Sequence, residues 1–264
     1  MNPIIVRSVA DYVRVVCDFQ KGGLDDGWYR GIGSLNYDLI PGLYWRERAP
    51  ELESTLCHRF LVSYKAYGDY SKLNAWEKYA LMQHHGLPTR LLDWTENPLV
   101  ALYFALKQSA KIEENCAVWV INPYALNSLN YNSEREVFCP SEMSVRKTEI
   151  NGQNHDLDTF LPPVLCPYYP NNLPPYPVAI QSSYGTSRIK AQMGCFTIHG
   201  EESLPIDHYY RDSKEAVQVI IDAEGRPNYR KELLRDLACL GVNQETIFQD
   251  LDHLSKRILL DFKL

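Results

Sequence analysis

Apolar residues return every three or four positions at Val9, Tyr12, Val13, Val16 and Phe19, with Ser8 just ahead of them. That spacing predicts a capped amphipathic helix, broken by Gly22-Gly23. A second helix is expected over 51–67, with Leu52, Leu56, Phe60, Leu61 and Tyr64 on one face, and a third over about 72–85, stopped by Gly86 and Pro88. The run from Leu99 to Leu106 has almost no polar face, so its helix should be buried, with Asn97 as N-cap and Pro98 as first residue. Strands are expected at 28–31, 91–92 and 116–121, the last apolar on both faces and therefore central. Further strands are read at 178–181, 188–192, 195–199 and 217–221, and closing helices at about 229–240 and 250–262.

Between about 147 and 177 the pattern disappears. Seven prolines fall between Pro162 and Pro177, interleaved with Tyr168, Tyr169 and Tyr176, which predicts a surface-lying, mostly irregular insertion. It would serve as a connector, a partner-contact surface or a lid. Helices mixed with non-alternating strand blocks point to an α+β fold: one domain over 1–264, with a mixed central sheet, surrounding helices and a long Pro/Tyr-rich loop.

The net charge of −6 argues against a general nucleic-acid coat, since phosphate binding needs surplus Lys and Arg. The seven cysteines are scattered, odd in number and without a Cys-x-x-Cys pair. Neither a disulfide framework nor a structural zinc site is expected, and reduced cysteines suit a cytoplasmic protein. The N-terminus reads as lacking a signal peptide's apolar region, and no apolar run is long enough to span a membrane.

The stretch Gln83-His84-His85-Gly86-Leu87-Pro88-Thr89-Arg90-Leu91-Leu92-Asp93-Trp94-Thr95-Glu96-Asn97-Pro98, followed by Ala101 and Tyr103-Phe104-Ala105, resembles the central block of the FRG domain family. Tyr29-Arg30-Gly31 matches the aromatic-Arg-Gly motif that names the family, with Tyr for the commoner Phe. Further matches are residues 39–44, Arg188-Ile189 with Gln192-Met193-Gly194, and a tail at Phe248-Gln249-Asp250-Leu251-Asp252, where Gln249 replaces a proline. The resemblance spans roughly 8–256. It implies a prokaryotic or phage protein, with a role in host–virus conflict as one context, and says little about chemistry.

Candidate polar residues fall in three blocks: Arg30 early, 89–97 in the middle, and 188–199 late. Their order is similar to that of ADP-ribosyltransferases. Those enzymes hold NAD with an early strand arginine, shape the nicotinamide pocket with a Ser-Thr-Ser-like strand before a helix, and stabilise the ribosyl cation with a late Glu. The analogy implies an NAD-dependent transferase with catalytic candidates Asp93, Thr95, Gln192 and His85, and ligand-binding candidates Tyr29, Arg30, Gly31, Arg90, Asn97 and Arg188. A protein or nucleic acid would be the acceptor. Asp93-Trp94-Thr95 is not a Ser-Thr-Ser motif, and Gln192 is uncharged, so Glu201 and Glu202 are further candidates.

Other readings stand beside it. A non-catalytic module would hold a nucleotide or a protein partner in the same cleft, with Arg30 and Arg90 on an anion. A nucleic-acid-end binding or cleaving protein would use His85 as acid–base. Asp93 is expected to pin the turn by pairing with Arg90 or with Arg30. No His-x-x-x-His or Asp-x-Asp pattern is present, and no metal is expected.

Overall fold

The computed structural model describes residues 3–22, 26–46, 49–108, 114–130, 136–142, 147–150, 153–166, 173–183, 187–211, 213–223 and 225–262. Its strands are β1 (Ile4–Val6), β2 (Trp28–Ile32), β3 (Leu91–Thr95), β4 (Cys116–Ile121), β5 (Lys147–Ile150), β6 (Gln153–Asp156), β7 (Val178–Gln181), β8 (Gly194–Ile198) and β9 (Ala216–Ile221). The α-helices are α1 (Val9–Lys21), α2 (Gly42–Trp45), α3 (Ala49–Ser63), α4 (Ala75–His84), α5 (Pro98–Lys107), α6 (Pro123–Asn127), α7 (Ser187–Gln192), α8 (Tyr229–Cys239), α9 (Gln244–Phe248) and α10 (Leu251–Asp261).

Seven strands form one mixed sheet in the order β1-β9-β4-β2-β3-β8-β7, while β5 and β6 make a separate hairpin. Only β1 runs parallel to its neighbour, β9; the other pairs are antiparallel. Central β4 is apolar on both faces because both are covered. Val118 and Val120 join Tyr12, Tyr29, Ala101, Ala105 and Leu233 in a core beneath α1, α5 and α8. Ala117 and Ile121 join Trp28, Leu92 and Trp94 in a core on the opposite face. A third core gathers Tyr79, Met82, Leu91, Ile180 and Ile198 around α4 and the β7–β8 edge.

Local sequence explains the ends of the site-bearing helices. Asn97 accepts from the backbone N–H groups of Leu99 and Val100, and Pro98 occupies the first turn of α5. Asn74 and Glu77 form a reciprocal capping box at the start of α4, and Gly86, at φ 81°, turns the chain out of it. Gly31 is glycine because α5 packs onto bare β2 backbone. A Cβ there would lie 2.0 Å from the Ala101 carbonyl oxygen and 2.5 Å from the Ala105 nitrogen.

Two expectations are corrected. Residues 188–192 are not a strand but most of α7: the segment alternates polar and apolar residues as a strand would, yet Arg, Lys, Ala and Gln are good helix formers. Nor is the Pro/Tyr-rich segment irregular and surface-lying throughout. It holds the β5–β6 hairpin, and Leu157, Phe160 and Leu161 are buried against Trp76, Tyr79 and Met82. Its prolines still offer carbonyls: those of Pro174 and Pro175 accept from Glu201 and Glu202 N–H. Tyr168 and Tyr169 lie outside the described residues. The short elements β1, α2, α6 and α9 were not anticipated.

Candidate functional site

The sheet opens in the middle. β2 pairs with β4 over five residues, and β3 with β8 over five, yet β2 and β3 share the single pair Tyr29–Thr95. Beyond it the two strands diverge, leaving a cleft of about 270 Å³ between β2, β3, α4, α5 and α7. Arg30 bridges the divergence. Its Nη1 donates to the Asp93 main-chain carbonyl at 2.5 Å, standing in for the ladder bonds that stop there. Its Nε is buried without a partner among the described residues. Burial lowers the Arg30 pKa, and the neighbouring Asp93 opposes that shift.

The far wall is fastened to the end of β3. The Thr95 hydroxyl donates to the Gln192 carbonyl at 2.5 Å and accepts from Asn97 N–H at 3.0 Å, while Glu96 N–H donates to the Met193 carbonyl at 3.0 Å. These bonds hold the last residue of α7 against the cleft, where Gln192 Nε2 is buried and unpartnered among the described residues. Arg188, one helical turn earlier, also lines the cleft, and its Nε is likewise buried and unpartnered. Its guanidinium carbon sits 4.8 Å from the centroid of Phe248, which stacks on His253 at 4.2 Å and meets Phe104 edge-on. The tail at 248–252 thus supports one cleft cation. Gln249 there has φ 51°, which proline's ring cannot adopt.

Asp93 is the one carboxylate among the described residues lining the cleft. It is exposed, and its Oδ2 accepts from Gln83 Nε2 at 3.1 Å. The amide of Gln83 is oriented from behind: Thr89 Oγ1 accepts from Leu91 N–H and donates to Gln83 Oε1 at 2.6 Å. His84 lines the same wall of α4. Its pKa is lowered by burial, then by Arg188 and His85, with Asp93 opposing, which favours the neutral ring.

Seven candidates therefore line one cleft: Tyr29, Arg30, Gly31, Asp93, Thr95, Arg188 and Gln192. Arg90 does not. Residues 90 and 93 point to opposite faces because side chains alternate along a strand. Arg90 is buried, with Nε 3.0 Å from Glu53 Oε1, Nη2 on the Phe160 carbonyl and Nη1 on that of His199. Burial would lower its pKa, but Tyr79, Glu53 and Tyr44 outweigh that and hold it above the ordinary value. The expected Arg90–Asp93 pin is thus an Arg90–Glu53 pin, and Arg30 meets Asp93 through its carbonyl rather than its carboxylate. His85 is the exposed C-cap of α4 outside the cleft, and Asn97 serves as the α5 N-cap. Glu201 and Glu202 also lie elsewhere, Glu202 accepting from the Tyr209 hydroxyl. Sequence reading passed over Gln83 and His84 as cleft residues. Their i, i+3, i+4 relation to Ala80, which also lines the cleft, was the available signal.

Residues 25–114 match the model of the FRG domain family. The match runs from just before β2 to the segment after α5 and holds the aromatic-Arg-Gly motif, Gln83, His84 and Asp93. Arg188, Gln192 and the tail that supports Arg188 fall outside the matched residues. No curated protein and no solved structure matches the chain. Among the described residues, no helix is long and apolar enough to cross a membrane.

Proposed function

We propose that the cleft binds a nucleotide or dinucleotide, NAD foremost, and transfers its ADP-ribosyl group in the manner of an ADP-ribosyltransferase. The observation that carries the reading is the convergence of Arg30, Arg188 and Gln192 with the Asp93 carboxylate on one concave site. Two guanidinium groups suit a pyrophosphate, and a side-chain amide suits ribose hydroxyls or a carboxamide.

Asp93 is the group to face positive charge developing on the ribose as the bond to nicotinamide breaks and its electron pair leaves with that ring. Gln83 holds the carboxylate in place. An acceptor's lone pair then forms the new bond to the ribose carbon, and the acceptor loses its proton to a base. Neutral His84, not His85, is the cleft imidazole for that role. Protein and nucleic-acid acceptors both fit this chemistry. A cytoplasmic enzyme acting in prokaryote–phage conflict is the biological setting that goes with it.

A second reading, a nucleotide-binding module without turnover, is favoured by one feature: Gln192 is neutral where transferases carry Glu. The test joins thermal shifts with NAD, ADP-ribose, ATP and a short RNA to an assay of nicotinamide release. NAD and ADP-ribose are expected to raise the melting temperature, corresponding to about 2.7 kcal/mol at a hundredfold excess over Kd. Arg30→Ala should lose that shift, and Asp93→Asn should keep it while losing nicotinamide release. Binding without release by the wild type selects the module. No shift with any nucleotide refutes the nucleotide cleft.

A further inference from the structure

A second compartment of about 290 Å³ adjoins the cleft behind a partition that includes His84 and Phe196, both of which line the two spaces. Its chemistry is the reverse of its neighbour's. Tyr70, Trp76 and Phe196 contribute ring-bearing side chains, and the Trp76 indole is pinned by its N–H donating to Asp158 at 2.6 Å. No lysine or arginine is among the described residues that line it, whereas Asp69 and Glu77 are. The cleft, by contrast, presents the guanidinium groups of Arg30 and Arg188.

We infer that this compartment is a base subsite, and that it takes the purine of the ligand whose phosphates lie in the cleft. The inference rests on the nucleotide reading of the cleft and goes further by fixing the orientation of the dinucleotide. Phosphate is repelled from the compartment by its two carboxylates and attracted to the two guanidinium groups next door. A planar, uncharged ring gains from the pinned aromatic wall, and an exocyclic amine finds acceptors in Asp69 and Glu77. The end of the dinucleotide is set by the cleft itself. Asp93, Thr95 and Gln192, the groups fit to act on a ribose, all lie there, so the nicotinamide riboside half occupies the cleft. The adenine end is left to reach past His84. Pocket volumes of roughly 300–1,000 Å³ are usual for small-molecule sites, and neither compartment alone exceeds the lower bound.

The test fills the compartment without touching the cleft. Ser182 and Ser183 line only the second space. Ser182→Trp and Ser183→Trp, made separately, are compared with the wild type by calorimetric titration of NAD and of nicotinamide mononucleotide, which has no purine. Each variant is first checked by its melting temperature, and the variant that keeps the wild-type value is used. The expected result is at least a tenfold loss of NAD affinity with nicotinamide mononucleotide affinity unchanged. Unchanged NAD affinity, or an equal loss for both probes, overturns the base subsite while leaving the cleft reading intact. If wild-type protein binds neither probe, the cleft reading fails and the subsite falls with it.

Discussion

Acidification should destabilise this protein through one buried imidazole behind the cleft. His199 is fully buried at the end of β8, with its ring 5.7 Å from that of Tyr44. Its Nε2 lies 3.0 Å from the Leu204 carbonyl, which can only accept, so Nε2 carries the proton and Nδ1 is left bare. Protonating Nδ1 would bury a charge close to the Arg90 guanidinium, whose Nη1 donates to the His199 carbonyl. Burial therefore pushes the His199 pKa down to about 4, with Arg90 adding to the shift and the Leu204 bond opposing it. In the unfolded chain the ring titrates near 6.5. Between those values the unfolded state binds one more proton than the folded state, so stability is full above pH 6.5 and falls as pH drops toward 4. The slope is about 1.4 kcal/mol per pH unit, and the loss from pH 7 to pH 4.5 is about 2 kcal/mol. Urea denaturation of wild type and His199→Gln at half-unit steps isolates this contribution, because the other titrating groups are common to both chains. The variant is expected to be less stable at pH 7 and to lose about 2 kcal/mol less on acidification. A stability difference that stays constant from pH 7 to pH 4.5 would rule out His199 as the source of the acid sensitivity.

Glu53→Gln should cost about 3–5 kcal/mol in urea denaturation, because it leaves the Arg90 guanidinium buried without its ionic partner. Asp93→Ala should change stability by only about 0.5 kcal/mol, since Asp93 is exposed and its carboxylate partner is Gln83 rather than Arg90; the opposite ranking would restore Asp93 as the pin. Gly31→Ala should abolish the cooperative melt followed by circular dichroism, because the new methyl would overlap the α5 backbone; a normal melt would show that α5 can move off β2. Gln249→Gly should gain about 0.5–1 kcal/mol by relieving the left-handed backbone, and Gln249→Pro should lose stability and weaken nucleotide affinity through Phe248 and Arg188. Equal nucleotide affinity in Gln249→Pro and wild type would separate the tail from the cleft.

Sequence alone determined the elements whose signals are local. Ser8, Asn97 with Pro98, and Gly86 mark helix ends because capping depends on a few adjacent residues, and the structure has those ends where they were read. The apolar run at 116–121 declared a strand covered on both faces, and Leu99 to Leu106 declared a buried helix, since burial on all sides removes any polar face. The FRG resemblance was legible for the same reason: its central block is contiguous. Three separated blocks were also enough to expect one cleft lined by Arg30, Arg90, Asp93, Thr95 and Gln192, and all of these but Arg90 line it.

Partnership was decided only by the tertiary structure. Arg90 and Asp93 are near neighbours in sequence, yet strand alternation sends one to Glu53 behind the sheet and the other to Gln83 in the cleft. The choice between His84 and His85 turned on where α4 ends and which face it gives the cleft. The end of segment 188–192 is held against the cleft by bonds from Thr95 and Glu96 across the sheet, and the role of Phe248 appeared only once Arg188 lay over its ring. The opening between β2 and β3 is itself a long-range property. It depends on the register of strands more than sixty residues apart, and no local pattern of polar and apolar residues encodes where such a ladder stops.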